Sequence, residues 1–221
     1  MAQLACTRLT HRLGSCFVPH MGDGHLIVLE GAARSGKTTS LLRLSKMLGA
    51  VMVPQLDHTM EQSLIPYDKV QQWYILAELA RQRFIQTTLN RSSDVVQDRN
   101  IISTLAFSYA SARRSGSGQR FTTILKMMLR ISHGMLVRPD ILVVLTVDPV
   151  VGLLRRPRSR IDKTDHAWPD DSFLRYHAAF YQELICTSLA DYVTKIDTTA
   201  LTPDGTFEAV ARAIQERLKS R

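Results

Sequence analysis

The clearest chemistry in the sequence lies in one short loop, where glycine, lysine and threonine stand at a fixed spacing. Residues 26–42 are LIVLEGAARSGKTTSLL, and Gly31, Gly36, Lys37 and Thr38 fit the pattern G-x-x-x-x-G-K-[ST]. The two glycines allow backbone N–H groups to close around phosphate oxygens, and the helix that follows directs its positive end at the same anion. The pattern therefore predicts an ATP site in which Lys37 reaches the β- and γ-phosphates and Thr38 contacts Mg²⁺.

The whole loop is expected to surround the nucleotide. The residues assigned to nucleotide binding are Gly31, Ala32, Ala33, Arg34, Ser35, Gly36, Lys37, Thr38 and Thr39. Arg34 is also a candidate for neutralising charge on the phosphoryl group in transfer, although it could equally pair with a surface acid. A glycine turn that only caps a helix is the alternative, and the apolar strand before the loop argues against it.

Asp98 and Arg99 form a second candidate site, because they follow a short apolar strand. A carboxylate in that place can hold Mg²⁺ or position an attacking hydroxyl. The neighbouring guanidinium can grip a phosphate on an acceptor substrate with two hydrogen bonds. A local ion pair that caps the next helix is the alternative interpretation.

A third candidate is the basic stretch LLRRPRSRIDK, residues 153–163, which carries four arginines. Positioned arginines stabilise the charge that develops in phosphoryl transfer. Arg156 and Arg160 are the predicted catalytic members, and a mobile lid over about residues 153–168 is expected. A solvated basic surface is the alternative.

Strands and helices alternate along the chain, which predicts an α/β fold with a parallel sheet. Strands are expected at 26–30, 50–53, 94–97, 140–147 and 192–196, and helices at 37–48, 69–90, 101–113, 121–136 and 171–189, with a last one at the carboxyl end. In the helix over 69–90, Val70, Trp73, Ala77, Ala80 and Phe84 share one face, which predicts a buried stripe. Ligands of such sheets bind beyond the carboxyl ends of the strands.

Composition limits the function further. The chain has 221 residues, 45% hydrophobic and 22% charged, which suits one domain with a sizeable core. The net charge of +8 suits a polyanionic ligand. Three cysteines without a C-x-x-C pair favour reduced thiols, no zinc and a cytoplasmic location. No apolar run is long enough for a membrane span, and residues 1–24 are expected to form a poorly ordered extension before a P-loop domain over 25–221.

Three stretches of the sequence resemble thymidylate kinases. They are LIVLEGAARSGKTT, VVQDRNIISTLAFSYA and RPDILVVLTVDPVVGLLRRPRSR, and the likeness covers nearly all of residues 25–220. The deoxynucleoside kinases share the same plan. The resemblance implies a three-layer P-loop fold with a five-stranded parallel sheet, ATP-Mg²⁺ as donor, and a nucleoside or nucleoside monophosphate as acceptor substrate. It carries the roles of Lys37, Thr38, Asp98, Arg99 and the lid arginines to this chain, with Thr38 and Asp98 at the metal.

Gln55 departs from both families. Thymidylate kinases usually have an arginine there that holds the acceptor phosphate, and deoxynucleoside kinases have a glutamate that serves as general base. This chain has Val-Pro-Gln-Leu-Asp over residues 53–57. We therefore expect Asp57 or Asp98 to act as base, or Arg81 or Arg99 to hold a phosphate. Phe107 is a candidate for stacking on a base, although core packing is its alternative.

The best interpretation is a kinase of nucleoside monophosphates, with dTMP as the first candidate. A deoxynucleoside kinase, which phosphorylates a 5′-hydroxyl, and a kinase of another small alcohol remain open. A P-loop regulator or nucleic-acid-binding protein is disfavoured, because the sequence shows no aromatic-rich surface for single strands. A homodimer is possible, and no membrane partner is expected.

Overall fold

A five-stranded parallel sheet is the centre of the molecule. The computed structural model describes residues 13–56, 67–155, 171–183 and 189–220. Its strands are β1 (Phe17–Val18), β2 (Leu26–Gly31), β3 (Val51–Val53), β4 (Val95–Asp98), β5 (Leu136–Val137), β6 (Ile141–Thr146) and β7 (Tyr192–Asp197). Its helices are α1 (Lys37–Leu48), α2 (Tyr67–Leu89), α3 (Ile101–Arg114), α4 (Gly118–Ser132), α5 (Pro149–Leu154), α6 (Asp171–Glu183) and α7 (Pro203–Lys219). The main sheet has the strand order β3-β4-β2-β6-β7, which confirms the predicted α/β fold with a five-stranded parallel sheet.

Helices cover both faces of this sheet. The central strands are therefore buried on both sides and are apolar throughout most of their length. Every residue of β2 and β6 is buried. Leu26 and Val28 pack into the core beneath α2, α3, α4 and α6, whereas Ile27 and Leu29 pack into the core beneath α1 and α7. This alternation follows from the period of two residues in a strand and produces the three layers. None of the described helices is long and apolar enough to cross a membrane.

The carboxyl ends of the strands place the predicted site residues at one edge of the sheet. In the parallel register, Leu29 lies opposite Asp98 and Gly31 lies opposite Leu145. The loop after β2 and the turn after β4 therefore leave the sheet side by side. Since β2 is the central strand, this edge is the crevice in which ligands of such sheets bind.

The amino-terminal segment differs from its prediction as a poorly ordered extension over residues 1–24. Residues 13–24 are part of the described fold, and Phe17–Val18 pairs with Leu136–Val137 in a small parallel sheet. Leu13 and Cys16 are buried in the core. Because these apolar side chains pack against the domain, the ordered fold starts before residue 25. Residues 1–12 lie outside the described residues.

Helix α2 buries a different face from the one that its apolar spacing predicted. Val70 is buried, but Trp73 is 38% and Phe84 54% exposed. The buried side carries Ile75 and Ile85 together with polar residues that take part in hydrogen bonds: Gln71, Glu78 and Gln82. The prediction failed because it counted apolar residues only, and buried polar side chains occupy part of the core side.

One further boundary differs from the sequence prediction. Helix α4 ends at Ser132 rather than near residue 136, because His133, Gly134 and Met135 form a turn into the short strand β5, which was not predicted. Of the predicted lid, the structure describes the residues up to Arg155, which follow α5 directly.

Candidate active site

The loop after β2 has a backbone that requires glycine. Gly31 has φ of 125° and Gly36 has φ of 93°, and the intervening Arg34 has φ of 61°. A Cβ at Gly31 would collide with the carbonyl group of Leu145 in β6. That carbonyl accepts a hydrogen bond of 3.0 Å from the N–H of Ala32, so the two backbones must approach closely. Glycine at position 31 thus lets the loop leave the sheet in close contact with β6.

The start of α1 completes this loop. Gly36 caps the helix and supplies no side-chain hydrogen bond, so the N–H groups of the first turn remain for an anion. The Lys37 ammonium donates hydrogen bonds of 2.5 Å to Ala32 O and 3.3 Å to Ser35 Oγ. The Lys37 side chain therefore lies across the loop, where its ammonium group could bind a phosphate group.

Buried cations determine the electrostatics of the site. Burial, and then the nearby guanidinium of Arg99, hold the pKa of Lys37 well below its usual range, against the opposing charges of Asp98 and Glu30. Burial, followed by the charges of Arg99 and Lys37, likewise lowers the pKa of His177. A bound polyanion would relieve both effects, because it brings negative charge to buried cations.

Thr38 and Asp98 form a pair of oxygen donors beside the loop. Thr38 Oγ1 donates a 2.8 Å hydrogen bond to Asp98 Oδ2. Asp98 is 1% exposed, and its Oδ1 has no hydrogen-bond partner within the described residues. A hydroxyl beside a buried carboxylate oxygen fits Mg²⁺, which prefers oxygen ligands and takes others from water and substrate phosphates. In the part of the chain that the structure describes, no group of three or more His, Cys, Asp or Glu could hold another metal.

Arg99 is held in place from several sides. It adopts φ of 59°, which is uncommon for a residue with a side chain. Its Nε donates to Gln55 Oε1 at 2.9 Å, and its Nη1 donates to Gly31 O at 3.1 Å and to Ser103 Oγ at 2.9 Å. Because an arginine has donors only, the oxygen of Gln55 must face it.

Several residues of the site line a cavity of about 660 Å³. Its polar or charged lining includes Arg34, Lys37, Thr38, Thr39, Gln55, Arg99, Arg155, His177 and Thr206, and Ala32, Ala33 and Gly36 lie beside them. Four of the lining side chains in the described ranges are cationic, and none is a carboxylate. The cavity is therefore suited to an anionic ligand.

Arg155 connects two loops that border the cavity. Its Nη2 donates to the carbonyls of Thr198 at 2.6 Å and Leu201 at 3.0 Å, and to Thr199 O at 3.2 Å. Its Nη1 lies 3.4 Å from the carbonyl of Arg34. Arg155 thus fixes the loop after β7 against the phosphate-binding loop. The Arg34 guanidinium lies 3.4 Å from Gly152 O in α5.

Two predicted substrate-binding residues, Arg81 and Phe107, are not among the residues that line this cavity. Arg81 Nη1 donates to Glu78 Oε2 at 2.9 Å, and its Nη2 donates to Asp98 O at 3.1 Å and Arg99 O at 3.3 Å. It supports the turn that carries Asp98 and Arg99. Phe107 in α3 packs against Phe173 with ring centroids 5.1 Å apart.

The remaining predicted residues are Asp57, Arg156 and Arg160, which lie outside the described residues together with Arg158. Two residues of the site were missed by the sequence analysis. Glu30 is buried directly before Gly31, and a charged residue within an apolar strand is a signal that could have revealed it. His177 lines the cavity from α6, and a lone histidine on a helix offers no such signal.

Comparison with known proteins identifies the fold. No protein-family model matches this sequence, and no curated protein has a sequence that matches it. Among solved structures, the chain is similar to thymidylate kinase from Candida albicans, with a TM-score of 0.72 and 19% identity over 90% of this chain and 94% of that one. It is also similar to deoxyadenosine kinase from M. mycoides with bound dATP, with a TM-score of 0.62 and 16% identity over 86% and 98% of the two chains. The chain therefore has the P-loop fold of a thymidylate kinase and a deoxyadenosine kinase.

Proposed function

We propose that the protein is an ATP-dependent kinase that transfers the γ-phosphate to a nucleoside monophosphate, with dTMP as the first candidate. The observation that supports this most strongly is the cavity lining: Arg34, Lys37, Arg99 and Arg155 surround it, without a carboxylate among the described lining residues. Two phosphorylated substrates bring several negative charges to one place, and such a lining stabilises them.

The lining favours a phosphate over a hydroxyl as the group that attacks. A hydroxyl must lose its proton during transfer and needs a base nearby. A monophosphate is largely ionised at neutral pH and needs none. Gln55, which borders the cavity and accepts a hydrogen bond from Arg99, has no useful basicity.

On the donor side, we infer that the loop from Gly31 to Thr39 binds the ATP phosphates. The Lys37 ammonium would move from Ala32 O to the β- and γ-phosphates, which supply better partners than a neutral carbonyl. Thr38 and Asp98 would hold Mg²⁺, which neutralises phosphate charge when it is bound. The chain itself positions the reacting groups and excludes water, and these effects carry most of the acceleration in phosphoryl transfer.

On the acceptor side, we infer that Arg99 holds the phosphate of the acceptor substrate. Within the described residues, Arg99 donates to Gln55 through Nε and to Gly31 and Ser103 through Nη1, so its Nη2 takes part in none of these three hydrogen bonds. The arginines predicted to contact the transferring phosphoryl group remain Arg34, Arg156 and Arg160. The residues predicted to contact the acceptor substrate remain Asp57, Arg81 and Phe107. The contacts of Arg81 support an indirect role, through the backbone of Asp98 and Arg99.

A deoxynucleoside kinase is the second candidate. The similarity in fold to a deoxyadenosine kinase favours it, and Asp57 or Asp98 could serve as its base. The two functions differ in product, since one yields a diphosphate and the other a monophosphate.

A screen of acceptor substrates tests the proposal. The purified protein is incubated with ATP-Mg²⁺ and, separately, with dTMP, other nucleoside monophosphates, thymidine, other nucleosides and unrelated alcohols. Product masses are then measured, with Lys37→Ala as the control for contaminating kinases. We expect a diphosphate from dTMP or another monophosphate. Phosphorylation of nucleosides alone would favour the second candidate, and no product from any acceptor would contradict both.

We also propose that the protein forms a homodimer through helix α2. Trp73, Leu76 and Phe84 are 38%, 49% and 54% exposed and lie on one stripe around the small residue Ala80. A two-fold axis near Ala80 would bring Leu76 of one copy to Phe84 of the other, as a self-complementary contact requires. Light scattering should show a dimer that Leu76→Glu converts to a monomer. Leu42→Glu on helix α1 is the control, because Leu42 is also 49% exposed but lies on another helix. A monomeric wild type would contradict this.

A further inference from the structure

Glu30 is a buried carboxylate in the middle of the site. It is fully buried at the end of β2, where every other residue except the glycine that follows is apolar. Its Oε1 accepts a hydrogen bond of 2.7 Å from the Asn100 N–H. Its Oε2 accepts from Ser103 Oγ at 2.7 Å, from Tyr181 OH at 2.8 Å and from Gly31 N at 3.3 Å. A buried charge is tolerated when it is hydrogen-bonded in this way.

The four donors belong to four different parts of the site. Gly31 begins the phosphate-binding loop, and Asn100 follows Arg99 in the turn after β4. Ser103 lies in the first turn of α3, and Tyr181 lies in α6, which carries the cavity-lining His177. Glu30 is thus the single side chain among the described residues to which all four parts are bonded.

Two routes lead from Glu30 to Arg99. The first passes through the backbone: Arg99 has φ of 59°, and the N–H of the next residue is held by Glu30 Oε1. The second passes through Ser103, whose Oγ donates to Glu30 and accepts from Arg99 Nη1 at 2.9 Å. One carboxylate therefore contributes both to a backbone conformation that is unfavourable for arginine and to the direction of the guanidinium.

We propose that Glu30 is a positioning residue, which fixes the guanidinium of Arg99 relative to the phosphate-binding loop, with Tyr181 holding α6 in the same arrangement. This assignment rests on the proposed function, in which Arg99 holds the acceptor phosphate. Glu30 touches neither substrate. It acts by keeping the distance between donor and acceptor sites constant, and displacements of about 1 Å are known to reduce rates by about 10²-fold.

Glu30→Gln tests this with little change in shape. The amide oxygen of the substituted side chain can still accept from Asn100 N, but its NH₂ group must donate to the hydroxyls of Ser103 and Tyr181. It then competes with Arg99 for the oxygen of Ser103. We expect kcat to fall by about 10–100-fold, with KM for ATP within about twofold of wild type. Tyr181→Phe keeps the carboxylate and both routes to Arg99 intact, so its kcat should fall by only about threefold.

A spectroscopic measurement reports on Arg99 without relying on turnover. In ¹H–¹⁵N spectra of arginine side chains, the Nε–H of Arg99 should give a slowly exchanging signal, because this group is buried and bonded to Gln55. Arg99→Lys assigns the signal by removing it. In Glu30→Gln we expect the signal to shift and to exchange with solvent about 10-fold faster, whereas Tyr192→Phe, on the distant strand β7, should leave it unchanged.

The outcomes separate this inference from the proposed function. An Arg99 signal that is unchanged in both Glu30→Gln and Ser103→Ala would overturn the positioning role, even if turnover fell. A changed signal with the expected kcat loss and an unchanged KM for ATP would support it. If the wild type phosphorylates no acceptor, the proposed function fails, but the spectra still test whether Glu30 positions Arg99. If Glu30→Gln does not fold, Ser103→Ala, which interrupts the second route, carries the test, with Tyr181→Phe as the control that leaves both routes intact.

Discussion

Replacing Gly31 by alanine should damage both the fold and the phosphate-binding loop. The residue has φ of 125°, and an added Cβ would collide with the carbonyl of Leu145. Gly49, after helix α1, is a matched control: its φ is 64°, and no atom lies within 4 Å of an added Cβ. The two substitutions add the same methyl group, so their difference isolates the contact with β6.

The expected free energies follow from these surroundings. Gly49→Ala should lower the free energy of unfolding by about 1 kcal/mol, the cost of a left-handed conformation in a residue with a side chain. Three costs add up in Gly31→Ala. They are the same backbone strain, the weakening of the hydrogen bond from Ala32 N to Leu145 O by about 1 kcal/mol, and a steric clash of about 1–3 kcal/mol. A total of about 4 kcal/mol is expected, and so a difference of about 3 kcal/mol between the variants.

Urea unfolding of both variants measures this difference, and calorimetry with ADP-Mg²⁺ measures the effect on the loop. Gly31→Ala should unfold at a clearly lower urea concentration with an unchanged m-value, and should bind ADP at least about 10-fold more weakly. Gly49→Ala should bind ADP like wild type. Unfolding free energies within about 1 kcal/mol of each other would refute the close approach of this loop to β6.

Four further predictions concern the site. Lys37→Ala should reduce kcat by at least about 10²-fold while circular dichroism shows an intact fold. Asp98→Asn should raise the Mg²⁺ concentration for half-maximal rate by about 10–100-fold, measured at saturating ATP. Arg155→Ala removes the donor to three carbonyls of the loop after β7, so KM for ATP should rise about 10-fold and KM for the acceptor should stay unchanged. Between pH 7 and pH 5, wild type should lose about 2 kcal/mol more unfolding free energy than His177→Gln, measured by urea unfolding.

The sign of the pH effect follows from the lowered pKa of His177. The unfolded chain binds a proton near pH 6.5, whereas the folded chain does so only at lower pH. The stabilisation is therefore fully present above about pH 6.5 and is lost as the pH falls towards the folded-state pKa. Burial raises the pKa of Glu78, which acts in the opposite direction, but this group is present in both proteins and cancels. Equal losses in the two proteins would contradict the buried, neutral histidine.

The other three predictions have clear contrary results. Wild-type turnover in Lys37→Ala would remove the lysine from the mechanism. An unchanged Mg²⁺ dependence in Asp98→Asn would place the metal elsewhere. A rise in KM for the acceptor alone in Arg155→Ala would show that the loop after β7 does not belong to the donor side.

The fold could be predicted from the sequence because its signals are local and strong. The apolar run that became β6 and the glycine spacing of the phosphate-binding loop each depend on a few neighbouring residues. The edge of the sheet at which Asp98 and Arg99 meet this loop then follows from parallel topology. The face of helix α2 was predicted wrongly because the helix turns a polar network inward, with Glu78 accepting hydrogen bonds from Gln82 and Gln97. A pattern of apolar residues cannot indicate such a network.

The candidate site could be predicted only in part. Residues in the loop were found by spacing, but Glu30 and His177 belong to the site because distant parts of the sequence meet there. Tyr181 donates to Glu30 across 151 positions, and His177 lines the cavity from α6. Gln55 departs from the kinases that the sequence resembles, yet its bond to Arg99 depends on how two strands end side by side. Arg81 was assigned to the acceptor substrate, and its contacts with two backbone carbonyls become visible only in three dimensions.

A crystal structure with ATP and Mg²⁺ tests the central claim most directly. The account predicts the triphosphate within the loop from Gly31 to Thr39, the Lys37 ammonium displaced from Ala32 O onto the β- and γ-phosphates, and the metal beside Thr38 and Asp98. Nucleotide bound elsewhere, with Lys37 still hydrogen-bonded to Ala32 O, would contradict it.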